Sequence, residues 1–286
     1  MSPCRPWLTA TLTLGHLVLA IAAASPAGAT EPSDELLLKN TGWGRFKQGA
    51  WQQVRVTVES LDAKGNVTGT TSTDRLTTLV GVHPQSVTLE LDVTAEVAGK
   101  RFDAPLQFIT QGCHGEPCGQ LTKVRELEPT PSTIEGRTIV CRVREFQISD
   151  KDQRRRVVVY YNSDVAPVVL RRRSESSSQD GAKKIVQSDL DVISLNSPQK
   201  VLKQVLPAAV VRTVQKTDSA SITTTSSIVP EVPGGVVSST SQERDSEGRL
   251  VRRTTLELIG WGLNVEDSDY RTRERRRDAR RSRRNK

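Results

Sequence analysis

Apolar and polar residues alternate along most of the chain, with the period of two that is typical of half-buried β-strands. The clearest runs are 54–59 and 87–93, where valine or leucine takes every second position. A turn at 62–66 leads from the first run into a threonine-rich strand at 67–82. Further strands are predicted at 101–110, 120–128, 138–147, 155–161, 168–174, 184–195, 208–214, 221–229, 236–244 and 249–263. The pattern predicts a meander of antiparallel strands.

Three segments, 49–80, 164–195 and 231–261, each contain two strands joined by an acidic-Gly turn. An internal repeat would explain them, and so would the ordinary hairpins of a meander. Two segments instead have helical features. Residues 31–40 begin with a Pro-Ser-Asp sequence of the kind that starts a helix. Residues 197–206 place Val201 and Leu202 four positions before Val205 and Leu206, as on one face of a helix.

The predicted fold is therefore mainly β. We expect a strongly curved antiparallel sheet, or half-barrel, of long hairpins with one or two short helices, and a β-sandwich is the alternative. The composition favours the curved sheet, since 35% hydrophobic and 4% aromatic residues are few for a core packed on both faces.

The first 29 residues have the features of a cleavable secretory signal. Arg5 precedes an uncharged stretch at 7–24, Pro26 follows it, and residues 27–29 (Ala-Gly-Ala) give a small-x-small cleavage site. A membrane anchor is the alternative, but it needs about 20 strongly apolar residues, and threonines dilute this stretch. We expect export to the periplasm or the extracellular space. The mature chain, without a transmembrane segment, would be soluble or peripheral.

The positive charge is concentrated at the C-terminus. The formal net charge is +8, and residues 271–286 alone carry ten basic and two acidic residues, so the rest of the chain is balanced. The basic residues of this tail are Arg271, Arg273, Arg275, Arg276, Arg277, Arg280, Arg281, Arg283, Arg284 and Lys286. A segment with almost no apolar residue is expected to be disordered. It is either a solubilising terminus or a tether to anionic envelope polymers or lipid headgroups. Nucleic acid is disfavoured as a partner because no aromatic residue accompanies the arginines.

Two short motifs carry a resemblance to a known group of proteins. One is the strand opening Val232-Pro233-Gly234-Gly235 together with residues 160–167, and the other is the Trp43, Phe46, Gly49, Trp51 spacing. They resemble motifs of uncharacterised exported bacterial β-rich proteins, many of which are similar to the periplasmic lipoprotein-carrier and lipoprotein-receptor fold. The resemblance implies a half-barrel over 43–261, around an apolar cavity with room for an acyl chain.

Removal of the signal leaves three cysteines, Cys113, Cys118 and Cys141, so at most one intrachain disulfide can form. A local Cys113–Cys118 bridge with a buried Cys141 and a longer bridge from either residue to Cys141 both remain open. Cys113, His114 and Cys118 are also ligand types that suit zinc, but their spacing is not that of a standard zinc site. We therefore predict no bound metal and no cofactor.

No catalytic motif occurs in the chain, which contains no Gly-x-Ser-x-Gly, His-Glu-x-x-His or phosphate-binding glycine loop. We expect three regions: a signal peptide at 1–29, a β-rich domain at 30–268 with an interior sub-boundary at 129–133, and the tail at 269–286. The function predicted is a non-enzymatic envelope protein that binds an apolar or lipid-like ligand. The alternatives are a structural or assembly module and a cysteine-based metal or redox factor.

Overall fold

The computed structural model of the chain describes residues 41–264 except 85, 98, 113–119, 150–152 and 182. These residues form fourteen β-strands and no helix. The strands are β1 Trp51–Leu61, β2 Val67–His83, β3 Ser86–Val97, β4 Lys100–Asp103, β5 Gln107–Gly112, β6 Gln120–Ile134, β7 Arg137–Ser149, β8 Gln153–Tyr161, β9 Val169–Ser178, β10 Lys184–Val201, β11 Gln204–Lys216, β12 Ala220–Ile228, β13 Val236–Asp245 and β14 Leu250–Gly262. The predicted mainly β fold is confirmed.

All strands belong to one antiparallel sheet with the order β4-β3-β2-β1-β14-β13-β12-β11-β10-β9-β8-β7-β6, and β5 pairs with β3 beyond β4. Neighbours in this order are also neighbours along the chain, except that the last strand returns to pair with the first. The sheet is open, with β4 and β5 at one edge and β6 at the other. One continuous sheet replaces the β-sandwich that was the alternative prediction.

Packing between distant strands shows how strongly the sheet curves. Leu79 of β2 and Leu89 of β3 lie in the same buried cluster as Phe146 of β7 and Val159 of β8. Seven strands separate β2 from β8 in the sheet order. Their side chains can meet only if the sheet curls back on itself, which confirms the predicted strong curvature. We call the inner side of this curl the concave face and the other side the outer face.

Two further clusters close one end of the curl. The first joins Ile134 and Cys141 of the β6–β7 hairpin to Leu195 and Val211, and Glu135 at the hairpin tip accepts a hydrogen bond from the Leu195 backbone N–H at 3.3 Å. The second cluster consists of Val201, Ala208, Val229, Val232 and Val237. Within each cluster, apolar side chains from several strands pack together.

The two motifs that carry the family resemblance contact each other. Gly234 donates its backbone N–H to the Gly42 carbonyl at 2.7 Å, and Gln52 Nε2 donates to the Val236 carbonyl at 2.6 Å. Trp43 is buried against Gly234. The start of the sheet is thus fixed to the turn before β13, although nearly 200 residues separate the two along the chain.

The prediction of a helix at 197–206 is wrong. This segment is the tip of the β10–β11 hairpin, in which Val201 pairs with Gln204 and Leu202 adopts a positive φ of 54°. The two strands of the hairpin provide hydrogen-bond partners for each other's backbone N–H and C=O groups. A helix of ten residues is only marginally stable by itself, so the strand pairing is favoured. The other predicted helix, at 31–40, lies outside the described residues, as does the signal peptide at 1–29.

Two predicted strand boundaries also differ. Residues 101–110 form two strands, β4 and β5, because Pro105 lies between them and has no N–H to donate. The predicted strand 120–128 extends to Ile134 in β6, with a shift of register between Leu127 and Thr130. An edge strand tolerates a proline at such a bulge, since one side of the strand has no partner. The sub-boundary expected at 129–133 remains a prediction.

Candidate functional site

The strand register identifies the residues that line the concave face, because directly opposite residues of an antiparallel pair share one face. Val54 pairs with Arg75 of β2 and with Leu258 of β14. Val54 lies four residues after Ala50, and Arg75 lies four residues before Leu79. Residues an even number of positions apart along an extended strand have their side chains on the same face. Ala50 and Leu79 both lie in the cluster that spans the curl. Val54, Arg75 and Leu258 therefore face the concave side.

Further from the closed end, the concave face becomes accessible. Val54 is 2% exposed, whereas Val56 and Val58 on the same face, and Leu256 opposite Val56, are only half-buried. On strands β11 to β14, most of the cross-strand neighbours of these residues on the concave face have hydroxyl side chains. The half-buried hydroxyl residues among these neighbours are Thr213, Thr224, Ser226, Ser239, Ser241 and Thr254.

The outer face of the same strands is more exposed. In β12 the outward residues Thr223 and Thr225 are exposed while Thr224 between them is half-buried, and its Oγ1 lies 2.7 Å from Ser241 Oγ. Hydroxyl side chains on the concave face are shielded from solvent more than those on the outer face, because the curved sheet surrounds them. The concave face is thus a groove with an apolar wall at β1 and the middle of β14 and a hydroxyl wall that runs from β11 to β13 and continues to Thr254 of β14.

Two basic residues of the groove differ in their partners. Arg252 Nη1 forms an ion pair with Glu243 Oε2 at 2.9 Å, and register places both side chains on the concave face. Arg75 has a buried Nε without a hydrogen-bond partner, and no carboxylate of the described part of the chain pairs with it. Burial lowers the pKa of the Arg75 guanidinium.

The outer face carries ion pairs that cross several strands. Glu145 of β7 is 2% exposed, and its two carboxylate oxygens accept hydrogen bonds from Arg125 Nη2 and Arg156 Nε, both at 2.9 Å. These bonds, the Arg156 bond most strongly, lower the pKa of Glu145 to about 2. Further along, Asp191 of β10 accepts from Arg171 at 2.9 Å and Arg173 at 3.1 Å.

Two surface clefts lie on the outer face, and both have charged linings. One, of about 320 Å³, is lined by Arg55, Ser72, Asp74, Thr94, Glu96 and Arg101. The other, of about 210 Å³, is lined by Arg156, Val158, Arg173, Glu175, Gln187 and Asp189. Neither has the apolar lining of the cavity that the family resemblance implies.

No family profile matches this sequence, and neither does any curated protein. The chain is similar to the crystal structure of a predicted exported protein with a YmcC-like fold from Bacteroides fragilis, at 9% identity and a TM-score of 0.28, over 75% of this chain and 97% of that one. It is also similar to a DUF1329 family protein from Desulfovibrio piger, at 10% identity and a TM-score of 0.35, over 82% of this chain and 93% of that one. Likeness of this degree assigns no function to the chain.

Of the predicted cysteine site, the structure describes Cys141. Its thiol is free, buried and 3.7 Å from the Ile139 carbonyl, and burial raises its pKa. Cys113, His114 and Cys118 lie outside the described residues, so the local Cys113–Cys118 bridge remains a prediction. Among the described residues, no three His, Cys, Asp or Glu side chains are grouped so that they could hold a metal ion.

The ten basic tail residues, from Arg271 to Lys286, also lie outside the described part of the chain. Within the described part, no helix combines the length and the apolarity that crossing a membrane requires. The tether therefore remains a prediction from the sequence.

Neither Arg75 nor Glu145 is among the site residues predicted from the sequence. For Arg75 the sequence contained an indication. Arg75 lies four residues before Leu79 in the predicted strand 67–82, so its side chain is on the same face as that apolar residue. For Glu145 no local signal existed, since its two arginine partners come from other strands and only the register brings them together.

Proposed function

We propose that this chain is an exported, non-enzymatic binding protein of the cell envelope. It holds a ligand with an apolar part in the concave groove, and its Arg-rich tail attaches it to anionic surfaces. The observation that carries the ligand proposal is the half-buried apolar wall of β1 and β14. Val56, Val58 and Leu256 face the groove and lack the complete burial of the clusters at its closed end.

Accessible apolar side chains in a groove favour an apolar ligand, because each buried CH₂ group of the ligand contributes about 0.8 kcal/mol. The neighbouring hydroxyl wall would contact the polar part of such a ligand. The charged outer clefts support no apolar ligand, and the groove is therefore the better site.

Neighbouring positions of β14 provide a matched test of the groove. Leu256 faces the groove and Thr255 faces outward. We expect Leu256→Asp to weaken the binding of dodecanol, a neutral probe with an apolar chain, at least tenfold, while Thr255→Asp leaves it unchanged. Quenching of tryptophan fluorescence by a brominated dodecyl chain measures the affinity. Equal affinity in both variants would remove the groove from the proposal.

The tail proposal rests on its charge. Eight net positive charges near an anionic surface contribute up to about 1 kcal/mol each before screening. Deletion of 271–286 is expected to abolish salt-sensitive co-sedimentation with phosphatidylglycerol vesicles. A full-length variant with all ten basic residues changed to Gln is the control for length and should behave like the deletion. Binding by either variant at the wild-type level would contradict the tether.

A second candidate function is the assembly module, and one observation favours it. The edge strands β4 and β5 and their connection expose three large apolar side chains, Phe102 at 56%, Leu106 at 52% and Phe108 at 61%. An exposed edge with apolar residues can pair with another chain. If the edge serves assembly, sedimentation velocity will show concentration-dependent association that Phe102→Ser and Phe108→Ser together remove. A monomer at all concentrations would argue against self-assembly through this edge.

A further inference from the structure

Arg75 is a charged side chain on the concave face that no carboxylate of the described residues neutralises. Its Nε is buried without a hydrogen-bond partner, and no described carboxylate pairs with it. Arg75 as a whole is half-buried, and partial burial of a guanidinium carries a penalty unless a counter-charge is present.

The two charged side chains of the described chain that are almost fully buried, Arg144 and Glu145, have partners. Glu145 has two arginines, and buried Arg144 contacts Glu126. On the concave face itself, Arg252 is paired with Glu243. These charges are thus paired with side chains of neighbouring strands, whereas Arg75 has no such partner among the described residues.

The surroundings of Arg75 indicate the rest of the ligand. Its direct cross-strand neighbours are Val54 of β1 and Val93 of β3, and the next concave residue of β1 is Val56. Hydrocarbon residues therefore lie on both sides of Arg75 in the sheet, and the accessible apolar wall begins one position further along the groove.

We infer that Arg75 is the anion-binding residue of the groove and that the ligand is an acidic amphiphile, a hydrocarbon chain ending in a carboxylate or phosphate. This inference rests on the proposed function and adds the charged group of the ligand. A guanidinium presents a planar pair of donors that matches two oxygens of either acid. The chain of the ligand lies along the apolar wall at Val56, Val58 and Leu256.

The test compares matched probes on the full-length protein at pH 7.5. Laurate and dodecyl phosphate are the acidic amphiphiles, dodecanol is the neutral one, and acetate and inorganic phosphate are the anions without a chain. We expect both acidic amphiphiles to bind at least tenfold more tightly than dodecanol. Arg75→Gln should remove this preference and Arg75→Lys should retain part of it. Arg253→Gln, an exposed position on the outer face, should not change it.

A stability measurement separates a ligand-binding role from a structural one. Without ligand, Arg75→Met should raise the Tm, because it removes a half-buried guanidinium whose buried Nε has no hydrogen-bond partner. If Arg75 instead stabilises the fold, the Tm of Arg75→Met will fall and the inference is overturned. This measurement also covers the case in which Arg75→Gln does not fold.

The remaining outcomes are also decisive. Equal binding of laurate and dodecanol by the wild-type chain overturns the inference but leaves an apolar ligand, and hence the proposed function, intact. Absence of binding to all three dodecyl probes removes both. Binding of acetate or inorganic phosphate as tightly as laurate shows an anion site without a chain-binding groove and overturns the amphiphile.

Discussion

At the scale of single residues, the contact between the two motif segments leaves no room for a larger side chain at Gly234. Its φ is +79°, and a Cβ there would lie 2.7 Å from Gln52 Oε1 and 3.0 Å from Trp43 Cζ2. Gln52 also donates to the Val236 carbonyl, so it cannot move without a loss of that bond. The glycine is therefore required both by the backbone conformation and by the close approach of the two segments.

Gly234→Ala is expected to lower the free energy of unfolding by about 2 kcal/mol or more, since strain at a positive φ adds to the overlap with Trp43 and Gln52. Gly69→Ala is the control. Gly69 lies in a strand without a positive φ, and nothing lies within 4 Å of the added Cβ. Urea unfolding of both variants measures the difference, and equal stability would contradict the packing described for this junction.

Glu145 predicts a pH dependence of stability. Its pKa is about 2 in the folded protein, below the ordinary value of 4.5, so its contribution is complete above pH 4.5 and is lost as the pH falls toward 2. The shift corresponds to roughly 3 kcal/mol. Glu145→Gln should therefore be less stable than the wild type at pH 7, and the two should converge near pH 2.

The measurement is the urea midpoint of both proteins between pH 2 and pH 7. Glu247→Gln provides the control, because Glu247 is 66% exposed and its pair with Arg249 is of the surface kind that contributes little. A constant difference between the wild type and Glu145→Gln over the whole pH range would show that the Glu145 carboxylate is not selectively stabilised in the folded state.

At the scale of elements, the alternation of polar and apolar residues predicted most strands because each has one face toward a core. The segment 197–206 was mispredicted because four-residue spacing also arises around a hairpin turn. Val201 belongs to the third apolar cluster, that of Val229, Val232 and Val237, and Leu206 packs against it from the opposite strand. Val205 is 69% exposed. Periodicity over ten residues cannot distinguish these two arrangements.

The tip of this hairpin predicts a stabilising substitution. Leu202 has a φ of 54° and is 45% exposed, so its side chain strains the backbone and buries little in return. Leu202→Gly should raise the free energy of unfolding by about 0.5 to 1 kcal/mol, measured as a shift of the urea midpoint. Leu206→Gly is the contrasting variant, because Leu206 packs against the third cluster and its loss should destabilise. Destabilisation by Leu202→Gly would contradict the turn.

At the scale of the whole molecule, the sequence indicated a curved sheet through its low apolar content, but not how the sheet closes on itself. The contact of Leu79 with the cluster of Phe146 joins residues 67 positions apart, and no local pattern records such a contact. The same limit applies to the site. The position of Arg75 on the face of Leu79 is readable in the sequence, but its lack of a partner follows only from the arrangement of all neighbouring strands.

The balance of charge belongs to this scale as well. A body with equal numbers of acidic and basic residues pairs its charges across strands, as Glu145 and Asp191 show. The excess charge is in the tail, where it is free to attach the protein to an anionic surface under the proposed function. Binding in the groove and attachment through the tail are thus separable and can be tested in one protein with independent variants.

Under the proposed function, the exported chain holds an apolar ligand in its concave groove. Native mass spectrometry of the untagged protein, expressed with its own N-terminal segment and recovered outside the cytoplasm, shows whether such a ligand is bound. We predict the mass of residues 30–286 plus a bound amphiphile, and Leu256→Asp should release the added mass while Thr255→Asp retains it. A protein found only in the cytoplasm with residues 1–29 intact, or an exported protein without any bound mass, would contradict the account.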